Sequence, residues 1–220
     1  MTIPRETVSM LHAASGILIA VTGLLQFVLR KGGKLHHVLG HIYFWSWAIV
    51  VGTGIYLGSL LIGFLGLLGW YMAATAYVFG IRRRNGSTTV LKIMILLALL
   101  IALFTLGWGI YLMLRGAMLF GTVAFFFGVV FLLNIRMDIL EYILGRLLRR
   151  TSSSPLHWLF EHYGRMFISY IAAMTAFTVI QEVFPLTILN WLLPTFIGVA
   201  ALIGMNRYYY KKYGVFKNSP

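Results

Sequence analysis

The chain has 220 residues, a formal net charge of +13, 60% hydrophobic side chains and no cysteine. The missing cysteines exclude disulfides, thiolate nucleophiles, cysteine-ligated iron–sulfur clusters and thiolate metal sites, so any cofactor must be held by His, Met, Tyr or carboxylates. A charge of this size could point to nucleic acid, but the basic residues sit in short loops between apolar stretches long enough to cross a bilayer, and this placement points to a polytopic membrane protein instead.

About 20 apolar residues are needed to cross the hydrocarbon. On that measure spans are predicted at 10–29, 38–57, 62–81, 88–114, 117–134, 158–182 and 186–206. The stretch from His41 to Ile81 is too long for one crossing and is divided at Gly58-Ser59, where a tight turn costs least. The first apolar segment lacks a basic N-region and a small-residue cleavage site, so it is expected to remain as the first helix.

The loop charges test this count. Arg30, Lys31 and Lys34 follow the first span, Arg82, Arg83 and Arg84 the third, Arg136, Arg146, Arg149 and Arg150 the fifth, and Arg207, Lys211, Lys212 and Lys217 the seventh. With Lys92 and Arg165, 16 of the 18 basic residues fall on one side, and only Arg5 and Arg115 on the other. The positive-inside bias predicts an external N-terminus and a cytoplasmic C-terminus; six or eight spans would scramble the alternation.

No room is left for a soluble domain, and residues 1–220 read as a single transmembrane helical domain. The longest piece between spans, 135–154, carries Ile139, Leu140, Ile143, Leu144 and Leu147 at helical spacing, interleaved with Asp138, Glu141, Arg146 and Arg149. That pattern predicts an amphipathic stripe on the cytoplasmic interface, its basic residues on anionic lipid headgroups, or a continuation of the fifth helix. Thr151-Ser152-Ser153-Ser154-Pro155 breaks it before the sixth span.

No Walker loop, dinucleotide fingerprint, serine elbow or EF-hand loop occurs. Gly54-Ile55-Tyr56-Leu57-Gly58 has the small-xxx-small spacing of closely packed helices, and internal packing is favoured over dimerisation. Chemistry is expected at the histidines. His36, His37, His41, His157 and His162 fall at the basic end, whereas His12 lies at the other. His37 and His41 are four apart and can share one helix face, and His41 and His162 are expected one turn inside the same membrane surface. Ionisable groups at such depth are costly and mark functional sites.

Two cofactors suit that layer. Haem b could be held between His41 and His162, with Gly40 and Gly164 giving room and Arg30, Lys34 or Arg165 neutralising propionates. A divalent transition metal could be bound by His37, His41 and His162, leaving a fourth position for water or Glu161. Structural readings stand beside these. His36 and His37 could face headgroups, Glu161 and Arg165 could pair at four-residue spacing, and His162 could bond to Gln26 across helices. Met166 is expected to pack rather than ligate, and His12 to bond to a neighbouring helix.

Two segments resemble an uncharacterised family of bacterial multi-spanning membrane proteins of unknown function. The first runs from Leu11-His12 through Gly23, Gln26 and Arg30 to His36-His37-Val38-Leu39-Gly40-His41-Ile42-Tyr43. The second is His162-Tyr163-Gly164-Arg165-Met166 followed by Ser169-Tyr170-Ile171-Ala172-Ala173. The resemblance covers about a third of the chain by our reading of these segments. It implies a bacterial inner-membrane location and a pattern that includes His12, Gln26, His37, His41, His162 and Arg165, but no activity.

The sequence therefore predicts an all-α bundle of seven transmembrane helices with a histidine layer on the cytoplasmic side. The favoured function is a haem-b or metal-binding redox protein passing electrons to membrane quinone or an associated membrane protein complex. Alternatives are a non-catalytic subunit or scaffold, and a metal-dependent membrane hydrolase or small-solute transporter. Transport is disfavoured because no inverted repeat or pair of broken helices is evident, although Pro194 could kink the last span.

Overall fold

The computed structural model describes residues 4–58, 60–82, 89–145 and 156–213. These residues form α1 (Arg5–Val28), α2 (Lys34–Leu57), α3 (Leu60–Arg82), α4 (Thr89–Leu114), α5 (Met118–Asp138), a π-helical turn (Ile139–Ile143), α6 (His157–Ile180) and α7 (Thr187–Lys212). Seven helices, the fifth extended by its π turn to Ile143, are long and apolar enough to cross a membrane. Six of them lie within six residues of their predicted spans at either end, and the fifth runs nine residues past 134; runs of this length and composition leave the backbone no other way to satisfy its hydrogen bonds in hydrocarbon.

The division of the long second apolar stretch falls at Gly58. Its φ of 89° closes α2 in the left-handed conformation, and its N–H donates to the Gly54 carbonyl. Ser59 lies outside the described residues. Gly116, at φ 84°, closes α4 in the same conformation, turning the chain into α5 within three residues.

Helix α3 is the central post: 56% of its most apolar stretch is buried, against 11% for α7. Ala73, Ala74, Thr75 and Ala76 make a smooth, fully covered surface on which α6 lies closely. Around α3 and α6 stand α1, α2, α5 and α7, with α4 packed almost wholly on α5. Interhelical contacts place the C-terminal ends of α1, α3, α5 and α7 with the N-terminal ends of α2 and α6, and we call this the basic end.

The close helix pair is α4–α5. A Cβ added at Gly109 would meet the Phe125 nitrogen at 2.6 Å, one at Gly121 would meet the Met113 nitrogen at 2.7 Å, and one at Gly128 the Leu106 backbone at 3.0 Å. The 54–58 glycine pair does otherwise. Gly54 faces His12 of α1, while Gly58 serves the turn and has nothing nearby.

Helix α7 contains Pro194, which lacks the N–H that would bond to the Asn190 carbonyl. The Thr178 hydroxyl of α6 donates to that carbonyl at 2.7 Å. The Asn190 side chain in turn accepts from the Phe184 N–H at 2.9 Å and donates to the Phe184 carbonyl at 2.8 Å, fixing the turn between α6 and α7.

The continuation of α5 differs from an interfacial stripe with its charges in water. The π turn carries Glu141 and Tyr142 inward, and Asp138 just before it is 1% exposed, while Leu144 faces out. A π turn changes the phase at which side chains meet the bundle, and such turns recur at functional sites. Residues 146–155, with Arg146, Leu147, Arg149 and Arg150, lie outside the described residues.

Because backbone atoms stand opposite Gly109 and Gly121, Gly109→Ala and Gly121→Ala should each cost about 1–3 kcal/mol through overpacking. Gly107→Ala, with open space at its Cβ, should be neutral or slightly stabilising. Thermal unfolding in detergent measures the contrast, and equal melting temperatures for the three variants would refute the close α4–α5 contact.

Candidate functional site

Helix α6 presents Glu161, Arg165 and Ser169 at four-residue spacing, so the three share one face. That face meets α3 along Tyr71, Thr75 and Phe79, again four apart, and the end of α5 at Asp138. Arg165 is 8% exposed. A guanidinium has five N–H donors and no acceptor, and burial obliges each to find an oxygen.

All five do. Nε donates to Glu161 Oε2 at 2.7 Å, and one terminal nitrogen donates to Asp138 Oδ2 at 2.9 Å and to the Thr75 hydroxyl at 3.1 Å. The other reaches Asp138 Oδ1 and, at 2.6 Å, Glu161 Oε2. The Tyr71 hydroxyl donates to Asp138 Oδ2 at 2.5 Å, and the Phe79 ring lies with its centroid 5.0 Å from the guanidinium carbon. The Glu161–Arg165 pair expected from its spacing is thus one arm of a larger cluster. Beside it, His157 Nε2 lies 3.1 Å from Glu141 Oε1.

Acidic residues are concentrated here. The chain has five acidic residues, and three of them, Asp138, Glu141 and Glu161, converge here. Among the described residues, these three carboxylates meet the Arg165 guanidinium and the His157 imidazole. Asp138 is fully enclosed and chelated by the guanidinium, whereas the Glu161 side chain is 27% exposed.

A second polar layer lies against the first. His162 Nδ1 is 2.9 Å from the Ala76 carbonyl, and its ring occupies the space left by Gly80, where a Cβ would come within 2.7 Å. A carbonyl only accepts, so Nδ1 carries the proton and Nε2 presents a lone pair. The His36 ring lies 6.2 Å from that of His162 and 5.9 Å from that of His37. Gln26 donates from Nε2 to the His36 carbonyl at 2.9 Å, and Lys31 in the α1–α2 turn donates to the Gln26 carbonyl. Partial desolvation there lowers the Lys31 pKa from its ordinary value.

The structure therefore brings His162, His36, His37 and Gln26 into one neighbourhood and sets His41 apart. His41 is exposed and bonded through Nδ1 to the Tyr77 hydroxyl at 2.8 Å. Among the described residues no contact joins it to His162, and no group of three or more His, Asp or Glu could hold a metal ion. Gly40 faces the Gln26 amide and Gly164 has open space; the glycine that accommodates an imidazole is Gly80. His162 bonds to Ala76 rather than to Gln26, Met166 packs against the core, and His12 bonds across helices to Thr53 at 2.8 Å.

Sequence reasoning did not single out Tyr71, Thr75 and Phe79, or the inward turn of Asp138 and Glu141. The available signal was the 71/75/79 spacing together with the scarcity of acids, three of which fall within 24 residues of one another. At the opposite end an open crevice of about 680 Å³ lies among Leu60, Trp108, Phe120 and Trp191. Its most buried polar side chain, Asn190, is already bonded to Phe184. Comparison with protein-family models, curated proteins and solved structures yields no match, so the site is interpreted from its own chemistry.

Removing the guanidinium would leave Asp138 uncompensated in an apolar surround. Arg165→Met should therefore destabilise the protein by about 3–5 kcal/mol, and Arg165→Met combined with Asp138→Asn should recover a substantial part of that loss. Thermal unfolding of the two variants checks this, and a double variant no more stable than the single one would refute the charge-pair account.

Proposed function

We propose that this is an integral protein of the bacterial inner membrane, N-terminus outside and C-terminus cytoplasmic, whose working part is a proton-exchanging acid–base cluster on the cytoplasmic side. The observation that carries this reading is the gathering of Asp138, Glu141 and Glu161 beside Arg165 and His157, with Asp138 and Glu141 enclosed and Glu161 partly open. Carboxylates brought close together away from water favour sharing a proton, and ionisable groups at this depth mark proton relays and ion pathways. Asp138 is the fixed anion, held by the guanidinium and the Tyr71 hydroxyl. Glu161, partly open to water, is the group through which the proton enters and leaves. The orientation follows the 16-to-2 sorting of basic residues, and the bacterial location follows the resemblance of the two histidine segments.

Infrared difference spectra of the purified protein between acid and neutral pH test the exchange. The protonated-carboxyl band should lose one component in Glu161→Gln, a change that keeps the side chain's shape, and stay as in the wild type in His12→Ala. A band unchanged by Glu161→Gln would overturn the reading. For orientation, a reporter fused after Pro220 should read cytoplasmic and one placed at Met1 external. Both termini on one side would overturn the assignment.

Electron transfer through haem b or a divalent metal is the second reading, favoured by one observation. His162 donates from Nδ1 to a backbone carbonyl, the arrangement that orients a ligating imidazole and leaves Nε2 free. Among this chain's residues His162 would be the ligand, with His36 or His37 as the nearest second imidazole, and His41 would need to leave Tyr77 to join them. An absorption spectrum and metal analysis of the purified protein decide it. A Soret band abolished by His162→Ala and retained in His12→Ala supports haem, whereas neither Soret band nor stoichiometric metal removes both cofactors.

A further inference from the structure

The crevice at the end opposite the charged cluster is bounded by α3, α4, α5, α6 and α7 and encloses about 680 Å³. Sites that take drug-sized ligands fall between about 300 and 1,000 Å³. Its walls are apolar and aromatic, supplied by Leu61, Trp108, Leu112, Phe120, Val179 and Trp191. Among the described residues that line it, Glu182 alone carries a charge. The two arginines of this end are engaged outside it: Arg5 donates to the Leu57 carbonyl at 3.2 Å, and the Arg115 guanidinium carbon lies 5.8 Å from the centroid of the Tyr111 ring.

Glu182 stands where a helix end does not favour it. The Gln181 N–H donates to the Phe177 carbonyl at 2.9 Å and the Val183 N–H to the Thr178 carbonyl at 3.2 Å, so Glu182, at φ 48°, is the left-handed residue that closes α6. The other described residues with positive φ are all glycines, Gly32, Gly58, Gly116 and Gly145. A side chain costs energy in this conformation, and a carboxylate at a helix C-terminus meets the negative end of the helix dipole. Glu182 is exposed, and among the described residues no Lys, Arg or His pairs with it. A cation beside it would offset the dipole repulsion.

The lining restricts that cation. A metal ion needs several oxygen donors, and a single carboxylate on apolar walls does not provide them. An anion would meet Glu182, and a neutral apolar molecule would leave the carboxylate unpaired. An organic cation with a ring-bearing body satisfies both parts of the site, since indole and phenyl faces take up the rings and also attract the charge.

We infer that this crevice is a binding site for lipophilic organic cations, with Glu182 as the counter-charge and Trp108, Phe120 and Trp191 as walls for the apolar body. The inference is independent of the proton-exchange reading, since it lies at the other end of the bundle and uses neither Asp138 nor Glu161. It concerns binding alone.

Equilibrium binding of tetraphenylphosphonium to the purified full-length protein in an uncharged detergent, corrected for uptake by empty micelles, tests it. Tetraphenylborate, nearly the same in shape and opposite in charge, is measured separately; a protein of net charge +13 attracts the borate non-specifically, so saturable binding of the phosphonium reports a local site. Glu182→Gln should weaken phosphonium binding about fivefold, the effect of one partly screened charge, and should not weaken borate uptake. Glu182→Gly should weaken it equally while unfolding at a temperature no lower than the wild type, because glycine adopts this φ freely, so the loss does not come from unfolding. Phe120→Ala, at a wall residue 49% exposed, should also weaken binding, and Glu6→Gln, a carboxylate at the same end outside the crevice, should leave it unchanged. Glu161→Gln should lose its component of the carboxyl band yet bind the phosphonium normally, which separates failure of the proton site from failure of this one. Phosphonium uptake that does not saturate, or an affinity unchanged in both Glu182 variants, would overturn the assignment. Displacement of the phosphonium by short-chain phosphatidylethanolamine and not by phosphatidylglycerol would also overturn it, assigning the crevice to the ammonium of a lipid headgroup.

Discussion

A guanidinium enclosed among apolar helices dictates the arrangement of everything near it. Arg165 cannot shed its charge, so its five donors must be met by oxygens from the chain itself. Those oxygens come from α3, α5 and α6, three segments far apart in sequence, and their positions fix how the three helices stand. Apolar packing alone tolerates sliding of one membrane helix over another, because lipid competes equally well for the same surface. The three hydrogen bonds that leave α6, one to Thr75 and two to Asp138, do not. The smooth Ala73–Ala76 surface of α3 supplies closeness, and the arginine supplies register.

The same requirement explains why α5 does not simply end. A straight continuation of the helix would keep presenting residues at the α-helical phase; the π turn instead buries Glu141 and Tyr142 and sets Glu141 beside His157 at the start of α6. The chain thereby spends most of its few acids inside the protein. Among the described residues the exposed charges at this end, such as Arg30, Lys34, Arg82 and Lys211, are mostly basic, which suits an anionic leaflet.

What could be read from sequence and what could not follow from the range of the signal. Span positions, the Gly58 turn and the charge alternation are local patterns, and hydrocarbon thickness enforces them. The Glu161–Arg165 pair was equally local. Asp138 and Arg165 are 27 residues apart and Thr75 and Arg165 are 90 apart, so nothing in a single periodicity links them. Asp138 and Glu141 also sat in a stretch whose leucine and isoleucine spacing fits a surface stripe; which way the stripe faces depends on the π turn, which has no composition signature. For the histidines, depth was legible but azimuth was not. His41 and His162 reach similar levels, yet α2 turns His41 toward Tyr77, while Gly80 draws His162 inward. The glycines that mattered were those facing a partner, and facing is a property of two helices at once.

A proline in a solitary transmembrane helix is a flexure, because the carbonyl it leaves bare can turn toward any donor that comes by. In this protein the carbonyl freed by Pro194 is taken by Thr178 on the neighbouring helix, and the side chain of the same residue, Asn190, clasps the connecting turn. Bending of α7 at that level is therefore not a private motion. It would have to break a bond to α6 or carry α6 along, and α6 bears Glu161, His162 and Arg165 at its other end. Thr178 thus ties the proline level of α7 to the helix whose other end carries the charged cluster.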